Sequence, residues 1–343
     1  MQFYNRLNIK EQSDLIDKSG KDRIVLSFYK YSYLGNPKIF RNYLYVKLSA
    51  IDVLGRIYIA SEGINAQISL PLENLPFLRN ELDKITFLKN IPLNYALVSE
   101  NKSFLKLTIK VKNKIVADGL ESQEIDLSKR GTYVDASEFN KLLEKKDTIC
   151  IDMRNHYESE VGHFKNAIIP DVDTFRESLP LIEKKFFNEK NDKNFLLYCT
   201  GGIRCEKASA YFKQKGFKKV FQMKGGIIEY ARQAREMKLE NKFKGINFVF
   251  DERKGERISK DVISNCHLCN ASCDSHVNCA NPSCNLLFIQ CSDCSKTYDG
   301  CCSLDCQKTI NLPYEKQKSL RKAKKNSHKV FKKGRSKALK YKT

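Results

Sequence analysis

The sequence predicts an α/β protein: an N-terminal ferredoxin-like α+β sandwich, a central parallel α/β domain, and a C-terminal cysteine-rich, metal-binding-like segment that runs into a basic tail. Three observations carry that expectation. Between residues 22 and 118, short β-rich runs and helical patterns follow the order β-α-β-β-α-β. Between 123 and 240, strand and helix patterns alternate, the rhythm of a parallel sheet covered on both faces. Ten of the 13 cysteines then fall between Cys266 and Cys306, and residues 316–343 hold 13 Lys/Arg and no Asp/Glu.

A length of 343 residues accommodates two to three domains, and 41% hydrophobic with 29% charged residues is the balance of a globular chain. Residues 1–21 read as a polar lead-in, because "MQFYNRLNIKEQSDLIDKSG" has no apolar stretch of the secretory type. No apolar run approaches the roughly 18 residues needed to cross a bilayer. A soluble cytoplasmic protein is expected, with no membrane contact and no obligatory protein partner.

In residues 22–118, "RIVLSFYKY" reads as a strand and "PKIFRNYLYVKLSAIDV" as a helix leading to the next strand. "GRIYIA" and "NAQISL" form a hairpin around "SEGI", where Gly63 supplies turn freedom. "LENLPFLRNELDKI" is helical in pattern, and "FLKLTIKVKN" is read as the closing strand. In residues 123–240, Asp135 is the expected N-cap of the helix "DASEFNKLLEKK", with Glu138 three places on. "TICIDMR", "NFLLYC" and "KKVFQMK" read as strands, and "TFRESLPLIEKKFF", "CEKASAYFKQKG" and "GIIEYARQAREM" as helices. Residues 241–310 form the cysteine-rich segment, too poor in aliphatic residues for an ordinary core. Residues 311–343 form the basic tail, expected to lack regular structure.

The stretch "LYCTGGIRCEKASAYFKQKG" places Cys199 at the carboxyl end of an apolar strand, where open α/β sheets put their chemistry. Gly201 and Gly202 let the chain turn tightly with its N–H groups inward, and a helix follows. Such a nest stabilises an anion, which for Cys199 is a thiolate of lowered pKa. Thr200, Gly201, Gly202, Ile203, Arg204 and Cys205 form the loop and its support. Cys150, inside an apolar strand, reads as core.

Four residues separate Cys199 from Arg204. Cysteine-dependent phosphatases carry one more, giving a loop wide enough for phosphate; the shorter loop resembles the rhodanese family, whose amide ring suits a sulfur carried on cysteine. "CIDMRNHYESEVGHFKNAI" resembles a second rhodanese segment. That resemblance gives Asp152 and Arg154 bracing roles, places Glu158 and Gly162 in the same motif, and leaves His163 to pack or cap a turn.

The likeness extends further. "GRIYIASEGINAQIS", "YCTGGIRCEKASAYF", "GGIIEYAR", "NFVFDERKGERIS" and "LLFIQCSDC" together resemble the bacterial tRNA uridine-34 hydroxylases, from about residue 22 to about residue 310. The resemblance implies oxygen-dependent conversion of the wobble uridine of tRNA to 5-hydroxyuridine. Molecular oxygen would be the co-substrate, the anticodon loop the partner, and Cys199 the reactive residue, as a persulfide or related species. Cys205 then has three readings: a transient disulfide with Cys199, a second carrier, or packing. Two other functions compete with hydroxylation: a sulfurtransferase passing persulfide sulfur to tRNA or another acceptor, and a non-catalytic RNA-binding adaptor. The intact Cys199 loop argues against the adaptor.

Two Cys-x2-Cys knuckles, Cys266/Cys269 and Cys291/Cys294, have the spacing of a tetrahedral thiolate site. Cys273, Cys279, Cys284, Cys301, Cys302 and Cys306 could build a second, with His267 or His276 as alternative ligands. Zinc is the leading metal and an iron–sulfur cluster the less favoured one. The formal charge of +21 includes +13 from residues 316–343, and a polyanion is the partner this implies. Arg321, Lys322, Lys324, Lys325, Lys332, Lys333 and Arg335, interleaved with Phe331 and Tyr341, are the candidate phosphate contacts; a solvated solubility tail is the alternative.

Overall fold

Alternation along the N-terminal strands builds a sheet with two unlike faces. In β1 (Arg23–Tyr31), β2 (Leu54–Ala60) and β3 (Gly63–Pro71), Leu26, Phe28, Ile57, Ile59, Ile64, Ala66 and Ile68 point to one side and are buried. They pack against Leu44 and Leu48 of α2 (Pro37–Ser49) and Leu78 and Leu82 of α3 (Leu75–Asp83). The residues between them, Ser27, Tyr29, Arg56, Tyr58, Asn65 and Gln67, face the other way. Register aligns Tyr29 and Tyr58 with Asn65, and Ser27 and Arg56 with Gln67. Gly63 turns the hairpin at φ +142°, where a Cβ would lie 2.0 Å from the Lys30 carbonyl oxygen.

The computed structural model describes residues 8–120 and 125–323. Its first sheet has the order β4-β1-β3-β2-β5, where β4 is Asn94–Tyr95 and β5 is Leu107–Val111. The strand returning beside β1 is thus the short β4, and the stretch "FLKLTIKVKN" adds instead to the far edge, parallel to β2. Within the polar lead-in α1 (Ile9–Ser19) forms, started by an Asn8/Glu11 capping box and ended at Gly20.

The central sheet is parallel in the order β6-β10-β9-β7. Its strands are β6 (Thr132–Val134), β7 (Thr148–Asp152), β9 (Asn194–Tyr198) and β10 (Lys219–Met223). On one face lie α4 (Ala136–Leu143), capped by Asp135, and α8 (Gly226–Glu236); on the other lie α6 (Phe175–Lys185) and α7 (Ile203–Gln214). Cys150 is core. Between β7 and α6 the chain forms α5 (His156–Glu160) and β8 (Gly162–Phe164), too short for periodicity to reveal.

The C-terminal part attaches through β11 (Phe243–Asn247), which pairs antiparallel with β8 and with β12 (Glu256–Arg257). A hairpin of β13 (His276–Asn278) and β14 (Leu287–Ile289) follows, then α9 (Ser292–Thr297) and α10 (Leu304–Ile310). The head of the basic tail is helical rather than irregular: α11 spans Tyr314–Ala323, where Pro313 and Glu315 sit at the start of a run of good helix formers. No helix among the described residues is long and apolar enough to cross a membrane.

The mouth of β7 is locked by a buried ion pair. Arg154 Nε and Nη2 hold Asp152 at 2.9 and 2.6 Å, Nη2 also donates to the Gly162 carbonyl, and Tyr198 Oη donates to Asp152 Oδ2 at 2.8 Å. Both charged side chains are fully buried. Arg154→Met leaves a carboxylate buried without its cation and is expected to cost about 3–5 kcal/mol, read by chemical denaturation.

Candidate active site and cysteine clusters

Strand β9 delivers Cys199 to the carboxyl end of the sheet, and Thr200, Gly201 and Gly202 carry the chain into α7 at Ile203. The Gly202 N–H donates to Cys199 Sγ at 3.2 Å. Peptide carbonyls of this loop are drawn the other way: the Ile227 and Ile228 amides, in the first turn of α8, donate to the Cys199 and Thr200 oxygens at 3.0 and 3.3 Å. That approach requires Gly226, at φ +66°, where a Cβ would lie 2.4 Å from the Cys199 oxygen and 2.5 Å from that of Thr200.

Burial of Cys199 opposes its ionisation. The Cys205 thiol, the Arg204 guanidinium, and the Cys205 and Arg204 amides outweigh burial and bring the thiol down to about 6. Cys205 is pushed well above its ordinary value, by burial first and by the neighbouring Cys199 second. The pair is therefore a thiolate beside a protonated thiol at neutral pH.

Arg204 is held by an acidic neighbour. Its Nη1 and Nη2 donate to the two carboxylate oxygens of Glu158 at 2.6 and 2.8 Å, and Nη2 reaches Thr200 Oγ1 at 3.2 Å. Glu158 is completely buried and also caps α5 through the Asn155 N–H. His163 Nδ1 rests on the Ser159 carbonyl at 2.8 Å, a turn contact.

Cys199 forms part of the wall of a cavity of about 400 Å³, together with Thr200, Gly201, Ile203 and Arg204. Opposite stands the polar face of the N-terminal sheet, and the 249–256 segment closes the side. Arg253 fixes that segment: it holds Asp251 (Nε–Oδ1 2.9 Å) and Glu256 (2.6 Å), and Glu256 accepts the Leu97 N–H. The helix after the loop ties the two domains together. Glu206 receives the hydroxyls of Tyr29 (3.0 Å) and Tyr133, and Lys207 holds Glu62 (2.6 Å) and Asp118. Sequence reading missed these partners, and also Asn65 and Gln67. The available signal was the alternation of polar residues in "GRIYIA" and "NAQISL", which periodicity assigns to a solvent face.

The cysteines sort into two quartets. Cys266, Cys269, Cys291 and Cys294 have sulfurs within 4.8 Å of one another, and so do Cys279, Cys284, Cys302 and Cys306. The quartets interleave along the chain, so that one pair of each lies between the two pairs of the other. Cys273 and Cys301 belong to neither. His267 binds Glu160 at 2.8 Å instead of a quartet, and His276 packs on Phe248. Both quartets have the donor set and spacing to bind a metal ion. In the tail, Arg321 stacks on Tyr314 within α11; Lys324, Lys325, Lys332, Lys333 and Arg335 lie outside the described residues, as does the side chain of Lys322.

The thiolate absorbance of the protein, taken as a difference from Cys199→Ser, is expected to fall away as pH drops through about 6. Cys205→Ala removes a donor to that thiolate and moves the midpoint upward.

Known families cover this architecture in the same order. A UPF0176 acylphosphatase-like domain matches residues 23–115, a rhodanese-like domain 135–233, and a rhodanase C-terminal domain 244–307. A tRNA uridine(34) hydroxylase of Photorhabdus laumondii is 50% identical over 334 residues, which are 97% of this chain and 95% of that protein. The Leptospira interrogans protein of the same name is 50% identical over 93% of this chain and 87% of its own length. That of Pectobacterium carotovorum is 49% identical over 97% and 94%. With half of all positions shared along nearly the whole length, through the cysteine loop and both flanking domains, this chain belongs to the tRNA uridine(34) hydroxylase family.

Proposed function

We propose that this protein hydroxylates uridine-34 of tRNA to 5-hydroxyuridine, with molecular oxygen as co-substrate and Cys199 as the reactive group. The observation that supports it best is the thiolate cradle in the wall of a cavity of about 400 Å³, in a chain half identical to tRNA uridine(34) hydroxylases over almost its full length. Cys199 needs no general base, since its environment already favours the anion at neutral pH. Replacing C5–H by C5–OH with one atom of dioxygen, while the other leaves as water, takes two electrons and two protons from a reductant. A wobble base lies in a loop, so moving it out of its stack into a cavity is cheap. Acting on tRNA fits a cytoplasmic protein, with the basic tail from Arg321 onward supplying phosphate contacts that hold tRNA without reading sequence.

Each cysteine quartet is assigned one zinc ion. Sulfur separations of 3.6 Å for Cys269–Cys291, 3.6 Å for Cys284–Cys302 and 3.8 Å for Cys302–Cys306 match the roughly 3.8 Å edge of a zinc–thiolate tetrahedron. Zinc would lend this aliphatic-poor segment the stability that its core does not provide. Elemental analysis is expected to find two zinc ions per chain; iron with visible charge-transfer absorption would replace zinc by a cluster.

Nucleoside mass spectrometry of tRNA tests the activity. A strain lacking the protein, or carrying Cys199→Ser, is expected to lose the 5-hydroxyuridine-derived wobble nucleosides. Loss of thiolated nucleosides instead would make it a sulfurtransferase, and full complementation by Cys199→Ser would make it an adaptor.

A further inference from the structure

The reaction described above uses the cysteine loop but leaves the facing wall of the cavity unexplained. That wall is a sheet face with an unusual surface. Along β1, β2 and β3 it presents Ser27, Tyr29, Arg56, Tyr58, Asn65 and Gln67, and all six line the cavity that holds Cys199. The face abuts the loop directly. A Cβ on Gly202 would lie 2.9 Å from Tyr29 Oη, and one on Gly201 would lie 3.9 Å from Asn94 Nδ2 and 4.0 Å from Ser27 Oγ.

The two carboxamides stand at the centre of this face, on neighbouring same-side positions of β3. Tyr29 and Tyr58 flank Asn65 in register, and Ser27 and Arg56 flank Gln67. Asn65 is fixed in one orientation, because its Nδ2 donates to the Ile115 carbonyl at 3.3 Å, which only a donor can approach. Its Oδ1 meets no described donor and, as an amide oxygen, can only accept from a ligand. Gln67 makes no side-chain hydrogen bond to any described residue and keeps its donor and acceptor for what enters the cavity.

We infer that this face reads the base: Asn65 Oδ1 accepts the N3–H of an extruded uracil, Gln67 serves a flanking carbonyl, and the tyrosine rings supply stacking surface. The inference rests on the uridine-34 reading above. Uracil offers an acceptor, a donor and an acceptor along its pairing edge, and Asn65 meets the donor. Cytosine carries a lone pair at N3, so the same oxygen would face an acceptor and repel it. Specificity for uridine over cytidine then comes from the N-terminal sheet, while the chemistry comes from the central one.

The test is fluorescence anisotropy on the full-length chain, with labelled anticodon stem-loop RNAs that differ only in carrying uridine or cytidine at position 34. The unaltered protein is expected to prefer the uridine RNA by about tenfold or more, the effect of one buried hydrogen bond left unmet. Asn65→Leu is expected to erase most of that preference, weakening uridine RNA binding and relieving the repulsion of cytidine, and Gln67→Leu to weaken uridine RNA binding, both with the Cys199 titration midpoint unchanged. Both positions are half-buried on an open face, outside the apolar core. An unmoved Cys199 midpoint reports that the fold is intact, and Asn65→Leu is the deciding variant. No preference in the unaltered protein, or a preference that survives Asn65→Leu, overturns the inference. In that case loss of wobble nucleosides in Cys199→Ser would still stand for the hydroxylase reading, whereas intact nucleosides in that variant would remove the reading itself.

Discussion

Two hydrogen bonds, from the Ile227 and Ile228 amides to the carbonyls of Cys199 and Thr200, decide which way the peptide units of the loop face. With those oxygens drawn toward α8, the N–H groups of Gly202, Arg204 and Cys205 turn toward the sulfur. A buried thiol would ordinarily resist ionisation. Here the inward amides, a protonated thiol neighbour and a guanidinium one residue before it reverse that tendency. Gly226 is the steric condition for all of this, since any side chain at that position would displace the carbonyls it lies against.

The same turn of helix that completes the cradle joins the domains. Arg204 is committed to Glu158, so its charge acts on Cys199 from a fixed place. Glu206 and Lys207 then reach Tyr29, Glu62 and Asp118 across the boundary. Consecutive positions on α7 thus serve sulfur and interface together, and the N-terminal sheet has a defined position above the loop. The Arg253 cluster anchors the third wall to the edge of that sheet near Leu97 and Val98. A cavity between domains results, with reactive group and facing surface supplied by different parts of the chain.

The C-terminal segment solves a different problem. It has few aliphatic residues to bury, and its cluster is built largely of cysteines around Leu268, Leu286 and Phe288. Interleaved quartets bring four separate stretches of chain together through short sulfur–sulfur contacts. His267, held by Glu160, and β11, paired with β8, fix this segment to the central domain.

Much of this was readable in the residues themselves. The Asp135 cap, the buried run of β9, the glycine pair after Cys199 and the Cys-x2-Cys knuckles are local signals, because capping, burial, turning and chelation each act over a few positions. Short elements such as β4, α5 and β8 left no periodic trace, and α1 and α11 arose in stretches whose polar composition masks helix formation. The placement of Asn65 and Gln67 was beyond sequence for a more basic reason. Strand alternation says only that two faces differ; what covers the polar one is decided by contacts between residues more than a hundred positions apart, such as Tyr29 with Glu206. Sequence by itself determined the Cys199–Arg204 spacing with its glycine pair and the Cys-x2-Cys knuckles, since each lies within a few positions. Only the tertiary structure decided which cysteines share a site and what faces Cys199, because long-range packing alone brings those surfaces together.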